Sequence, residues 1–293
     1  MKGGNVTVSR DAVVGVDLGG TQVRAGKVRA GELERHEARR ISSRESQEVV
    51  LAEIFQVIDQ VFDDEAAGIG CGVPSLVDES GVVRTVINIP SWREVRLKDE
   101  LERRYGVPAT IDNDANAFAV GELYFGRGRG HSSLVGMTLG TGLGTGVILD
   151  GRLYRGANGG AGEIGLIPYR DQTIEQYCGG GFFQRTGTDG AEVFRRAQAG
   201  DPEALRIYHE YGFELGIAVL TALYAYDPQL IVFGGSISRA FPFFEQGMRE
   251  RLATYAYPHA LARLEIACSE IEHVAVLGAA ALYLDARGPT PRP

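Results

Sequence analysis

Short β-branched runs and longer stretches with helical spacing take turns along this chain, and Gly or Pro marks most of the changes. Ala12–Asp17 and Val23–Val28 predict two strands around Gly19-Gly20, and a third is expected over Glu34–Ile41. Ser42-x-x-Glu45 has the form of a capping box, and Val50, Ile54, Val57, Ile58 and Val61 then follow a 3.6-residue repeat. Ile69–Val73 reads as a strand stopped by Pro74, Leu97–Tyr105 as a helix, Ala109–Asp112 as a strand and Ala115–Phe125 as a helix. The second half repeats the plan. Leu134–Leu139 and Thr145–Leu149 flank another Gly/Thr turn, and Asp150-Gly151 marks a hairpin into Arg152–Tyr154. Helices follow at Ala191–Ala199 and Glu203–Tyr226, a strand at Leu230–Phe233, a helix at Phe241–Tyr255, a strand at Leu264–Cys268 and a last helix at Val274–Leu284. The order of elements nearly duplicates without an obvious sequence repeat, which predicts two similar α/β domains with a cleft between them.

Composition narrows the possibilities. The 293 residues suffice for about two domains. The 40 glycines are spread through turns, so they imply tight connections rather than a collagen-like or disordered chain. A net charge of −8 with scattered Lys and Arg argues against nucleic acid or a membrane surface as partner. Cys71, Cys178 and Cys268 match no zinc or CxxC spacing and suit a reduced, cytoplasmic setting. Met1–Arg10 lacks the apolar core of a signal peptide, and Ile217–Tyr226 is too short to span a bilayer.

The two Gly/Thr turns carry the first chemical signal: Asp17-Leu18-Gly19-Gly20-Thr21 and Leu139-Gly140-Thr141-Gly142-Leu143-Gly144-Thr145-Gly146. Glycine admits positive φ and has no Cβ, so such turns can bring backbone N–H groups close to an anion. One turn alone could be an ordinary hairpin. The pair, with Asp17 as a hard oxygen ligand for Mg²⁺, favours phosphate binding. A Walker A reading fails because Gly26-Lys27 is followed by Val28 and has no Gly five residues before it. The G-x-G-x-x-G at Gly160–Gly165 neither follows a strand nor opens a helix. Asn113-Asp114-Ala115-Asn116 sits where a strand meets a helix. There Asp114 could accept a proton from an attacking hydroxyl, or Asp112 or Asp114 could simply cap the helix.

These segments, in order and spacing, together with Gly162-Glu163-Ile164-Gly165, resemble the ROK family of bacterial sugar kinases and related repressors along almost the whole chain. Asp227–Gly235 looks like that family's adenosine-side segment. The resemblance implies a two-domain α/β actin/hexokinase-like (ribonuclease H-like) ATPase fold. Residues 1–112 with about 275–288 would form the smaller domain and 113–274 the larger, with 289–293 a disordered tail. It implies ATP and Mg²⁺ as cofactors, a small sugar as substrate and a homodimer. Asp17 would position Mg²⁺, while Gly19, Gly20, Thr21, Gly140, Thr141 and Gly142 cradle phosphates and Gly234 and Gly235 lie on the nucleotide side. Asp114 would be the general base, acting on a hexose hydroxyl (usually O6), with Asn88, Asn113, Glu163 and Glu175 around the sugar.

The sequence departs from the family pattern after Glu163. Leu166 stands where a His is usual, and the Cys-rich zinc loop is shortened to Pro168–Gly180, so no structural zinc is expected. Leu166 leaves the choice of sugar open: glucose comes first, with fructose, mannose, N-acetylmannosamine and N-acetylglucosamine as alternatives. A repressor would carry a helix-turn-helix ahead of Asp17, where only sixteen residues stand, and a non-catalytic sugar-binding regulator remains a third reading. Trp92 fits either a core aromatic or a ligand-side residue. The stripe Tyr208, Tyr211, Leu215, Val219 and Leu223 fits helix core or a dimer contact. Ser75 is a further candidate at the edge of the site.

Overall fold

The computed structural model describes residues 11–288. Both Met1–Arg10 and the tail expected over 289–293 lie outside that range. The chain runs β1 (Ala12–Leu18), β2 (Gln22–Arg29), β3 (Glu32–Arg40), α1 (Gln47–Ile58), β4 (Ala66–Val73), β5 (Val83–Val86), β6 (Ile89–Val95), α2 (Leu97–Tyr105), β7 (Ala109–Asn113) and α3 (Asp114–Phe125). It continues with β8 (Leu134–Leu139), β9 (Leu143–Leu149), β10 (Arg152–Leu153), a single 3₁₀ turn at Ile164–Leu166, β11 (Pro168–Tyr169), β12 (Gln172–Thr173), α4 (Ile174–Cys178), α5 (Gly181–Arg185) and α6 (Gly190–Gln198). Next come α7 (Pro202–Tyr226), β13 (Leu230–Gly234), a 3₁₀ turn at Ile237–Ala240, α8 (Phe241–Leu252), α9 (Pro258–Leu261), β14 (Glu265–Cys268) and α10 (Val274–Ala286).

The duplication expected from element order is present in the topology. One five-stranded sheet has the order β3-β2-β1-β4-β7 and the other β10-β9-β8-β13-β14, so each strand of the first has a counterpart in the second. In both, an antiparallel hairpin arm is continued by parallel strands. The first sheet's apolar face packs α1 and α2 through Val14, Val16, Ile54, Ile58, Ile69 and Leu101, all nearly solvent-free. Capping of α1 differs from the expected box. Ser46 is the N-cap, while Ser42 bonds the Glu53 carboxylate through its N–H (2.6 Å) and hydroxyl (2.8 Å).

By contact density the described residues form two compact units: 11–132 with 146–161 and 270–288, and 133–145 with 162–269. The sequence boundary at 112/113 therefore differs, because α3 belongs with the first unit. There it packs on α10, and a Cβ added to Gly121 would lie 2.8 Å from Gly278 Cα. The last helix also lies directly on the first sheet. A Cβ on Gly15 or Gly70 would meet the carbonyl oxygens of Val276 (2.0 Å) and Ala279 (1.8 Å), so these strand glycines let two backbones touch.

Candidate active site

In the first unit β1, β4 and β7 run parallel, and their register pairs Asp17 with Gly72 and Gly72 with Asp112. Asp17, Asn113 and Asp114 thus gather at the carboxyl ends of neighbouring parallel strands, where open α/β sheets bind ligands. Asp17 is buried and accepts from Arg24 at 2.8 Å on Oδ2, leaving Oδ1 open. Burial pushes its carboxyl above the usual range, and Arg24 opposes this only in part. Arg24 was not singled out from the sequence. The only signal for it is register, since it pairs with Asp17 across β1 and β2.

Neither Gly19 nor Gly20 has a positive φ, nor do Gly140 and Gly142. At Gly20 and Gly142 the missing side chain is what the packing uses, whereas a Cβ on Gly140 would meet nothing within 4 Å. A Cβ on Gly20 would fall 2.5 Å from Asn88 Cβ, so Asn88, on the turn between β5 and β6, lies over the first Gly turn. That hairpin was missed from the sequence. Thr21 is exposed beside it. Trp92 on β6 is fully buried, which decides for core. Ser75 donates to the Thr85 carbonyl (2.7 Å), and its own carbonyl accepts from the Asn113 side-chain amide at 3.4 Å.

The cap of α3 is Asn113, whose Oδ1 accepts from the N–H groups of Ala115 (2.8 Å) and Asn116 (3.4 Å). Asp114 follows as the first helical residue, and its side chain is exposed while the three residues after it are buried. Capping therefore does not account for Asp114.

In the second unit the Gly140–Gly142 turn is backed by the segment between α4 and α5. Gly180 N–H donates to the carbonyls of Gly140 (2.8 Å) and Thr141 (3.1 Å). Glu175, on α4, reaches the same turn, and a Cβ on Gly142 would meet its Oε2 at 2.6 Å. Glu163 lies near enough for Glu175 to repel its charge. Partial desolvation, helped by that repulsion, raises its carboxyl above the ordinary value. Leu166 ends the short turn after Glu163 and is 55% exposed.

A cavity of about 520 Å³ opens from Gly140 and Thr141 and is walled by Phe183, Phe194, Tyr208 and Ile237, with Arg239 among its polar groups. Gly234 and Gly235 are not among the residues that line it. Gly235, at φ +83°, is pressed against Leu139, where a Cβ would meet the carbonyl oxygen at 2.4 Å. Phe183 and Phe194 were missed from the sequence, because an aromatic on a helix looks the same there whether it faces core or ligand. Tyr211, Leu215, Val219 and Leu223 of the α7 stripe are core, and Tyr208 is both core and cavity wall.

Among the described residues no group of three or more His, Cys, Asp or Glu is placed to hold a metal, and no helix is long and apolar enough to cross a membrane. Cys178, the one cysteine left in the shortened loop, is buried with its thiol against the Glu214 carbonyl.

The chain matches the ROK family over residues 13–184 and 182–286. A glucokinase of Thermotoga maritima is 32% identical over 311 aligned residues, 94% of this chain and 98% of that protein. A crystal structure of a ROK family glucokinase from Streptomyces griseus, in complex with glucose and AMPPNP, has a TM-score of 0.79 at 26% identity over 94% of this chain and 100% of its own. A ROK hexokinase from Thermus thermophilus gives the same score at 28% identity, covering 94% of this chain and 99% of that one. With two motif-bearing sheets of duplicated topology and a match that runs nearly end to end, this chain belongs to the ROK family.

Proposed function

We propose that this protein is an ATP-dependent hexose kinase, with glucose as the expected acceptor. The cavity beginning at the Gly140-Thr141 turn carries the reading. Its aromatic and apolar lining suits a purine nucleoside, and a nucleotide held there would have its phosphates near the backbone of that turn. The glucokinase of Thermotoga maritima and the glucose and AMPPNP complex of the Streptomyces griseus enzyme support the same assignment.

Each set of residues has a part in the transfer. Asp114 takes the proton as the hexose oxygen forms its bond to the γ-phosphorus and the bond to the bridging oxygen of ADP breaks. Asn88, Asn113, Glu163 and Glu175 orient the sugar. The N–H groups around Gly19, Gly20, Thr21, Gly140, Thr141 and Gly142 hold phosphate oxygens. The open Oδ1 of buried Asp17 fits a hard divalent cation or one of its waters, and Mg²⁺ held there would neutralise charge on the phosphates. Asn113 contributes through its side-chain amide, since its oxygen is committed to the helix cap. A homodimer completes the proposal and is checked by light scattering of the eluting species.

The decisive assay is ADP release over a panel of hexoses and N-acylhexosamines. Asp114→Asn should keep its fold and lose nearly all turnover. A folded, active variant would remove Asp114 from the role, and absence of turnover with every sugar would leave the regulator reading in its place.

A further inference from the structure

We propose that Arg155 is a positioning residue for phosphoryl transfer, acting through the buried carboxylate of Asp112 on the placement of Asp114. This rests on Asp114 being the proton acceptor. Asp112 ends the buried part of β7 at 4% exposure, and both its oxygens are engaged. Oδ2 accepts from Arg155 Nε, while Oδ1 accepts from the Asn113 N–H (2.7 Å) and from Asn116 Nδ2 (2.8 Å). One carboxylate therefore grips the residues one before and two after Asp114. Asn116 is itself buried and leaves its Oδ1 without a partner so that its amide can meet Asp112. An unpaired buried acceptor is costly, which marks the arrangement as one held for placement rather than for stability.

The anchor is independent of the sheet. β7 is an edge strand, with its ladder to β4 on one side only, and Arg155 reaches the Asp112 side chain from outside that ladder, from the segment after β10. Arg155 follows β10, and its loop is fixed in turn. Its carbonyl accepts from Ala161 N–H at 3.0 Å, and Gly159, at φ +74°, sits where a Cβ would be 2.5 Å from the Val77 carbonyl. Arg155 also lines a cavity of about 380 Å³, together with Asp78, Lys98 and residues 109–112 of β7.

Without Arg155, Asp112 would be a buried charge lacking its counter-ion, and it would turn toward water. Its hold on Asn113 and Asn116 then slackens and the first turn of α3 shifts. A displacement of about 1 Å in a catalytic group costs about a hundredfold in rate. Arg155→Ala should therefore lower kcat by about a hundredfold, with both KM values changed far less than kcat. Asn113 keeps its cap to Ala115, and the nucleotide cavity has no residue in this network.

The test measures kcat and both KM values for Arg155→Ala, Arg155→Lys, Asp112→Asn and the Arg155→Ala/Asp112→Asn double variant, with Asp114→Asn alongside. Partial recovery is expected in Arg155→Lys and on adding guanidinium ion to Arg155→Ala, which vacates volume beside an existing cavity. The double variant should be no worse than Arg155→Ala, as for two residues on one path. A folded Arg155→Ala with wild-type kcat, or with a raised hexose KM and unchanged kcat, overturns the proposal. If Arg155→Ala does not fold, Asp112→Asn decides, and an unchanged kcat there overturns it too. Turnover retained in Asp114→Asn would instead sink the underlying assignment of the base, whatever Arg155 does.

Discussion

Asp17 is held at the end of β1 against the preference of its own surroundings. Burial raises its carboxyl above the usual range, and Arg24, against one oxygen, returns only part of the shift. A carboxyl raised on folding adds stability below the ordinary carboxylate range and loses it as pH rises through the folded value. Asp17→Asn should therefore melt higher than the parent at pH 7, by roughly 2–4 °C if about 1 kcal/mol is recovered. The gap should close in acid, where both side chains are neutral, and the variant should be inactive. A lower melting temperature at pH 7 would contradict this account. Glu163 offers a second residue-scale prediction. Desolvation and then the Glu175 charge raise it, and it accepts from a hydroxyl best when ionised. Hexose KM should fall as pH rises on the acidic side, and Glu175→Gln should move that limb to lower pH. An unmoved limb would detach Glu163 from sugar binding.

The last helix meets the first sheet backbone to backbone, at glycines. β1 and β4 receive α10 at Gly15 and Gly70, where any Cβ would overlap a carbonyl of the helix. Relief would require moving two backbones. Gly70→Ala should lose at least the 1–3 kcal/mol typical of an overpacked core in urea unfolding, or fail to fold. Gly106 makes the control. It ends α2 at φ +69° with nothing within 4 Å of a built Cβ, so Gly106→Ala should cost only about 1 kcal/mol, from backbone strain alone. Equal costs at the two sites would show that the α10 contact yields easily. Helical and strand periodicity located nearly every long element, including α2 at its observed ends. The β5–β6 hairpin escaped because Val83–Val95 has neither a clean alternation nor a Gly turn, and Ile87-Asn88 reverses it instead.

For the whole molecule, two copies of one sheet topology account for why two similar Gly/Thr turns recur about 120 residues apart. Each follows the first strand of its sheet, β1 or β8. The segment that would carry a zinc loop is instead two short strands leading into α4, with Cys178 packed against α7. Purified protein should hold well below one equivalent of zinc by mass spectrometry, and a chelator, with Mg²⁺ in excess, should leave its melting temperature unchanged. Stoichiometric zinc whose removal unfolds the protein would show that ligands come from elsewhere in the chain.

What the sequence determined alone was whatever depends on local order: element type from periodicity, the strand-turn-strand setting of both Gly motifs, and the strand-to-helix junction carrying Asp114. It also placed the family signature and its break at Leu166. It left Asp114 between cap and base, and Trp92 between core and ligand. Those alternatives depend on which neighbour a side chain meets: tertiary structure made Asn113 the cap, which takes that role from Asp114, and it buried Trp92 in the core. Hairpin register brought Arg24 to Asp17, and tertiary structure alone brought Asn88 over Gly20, Arg155 to Asp112 and the aromatic wall to Gly140-Thr141, pairings between segments far apart in the chain. Periodicity records which way a side chain faces, and only the packed chain supplies what it faces.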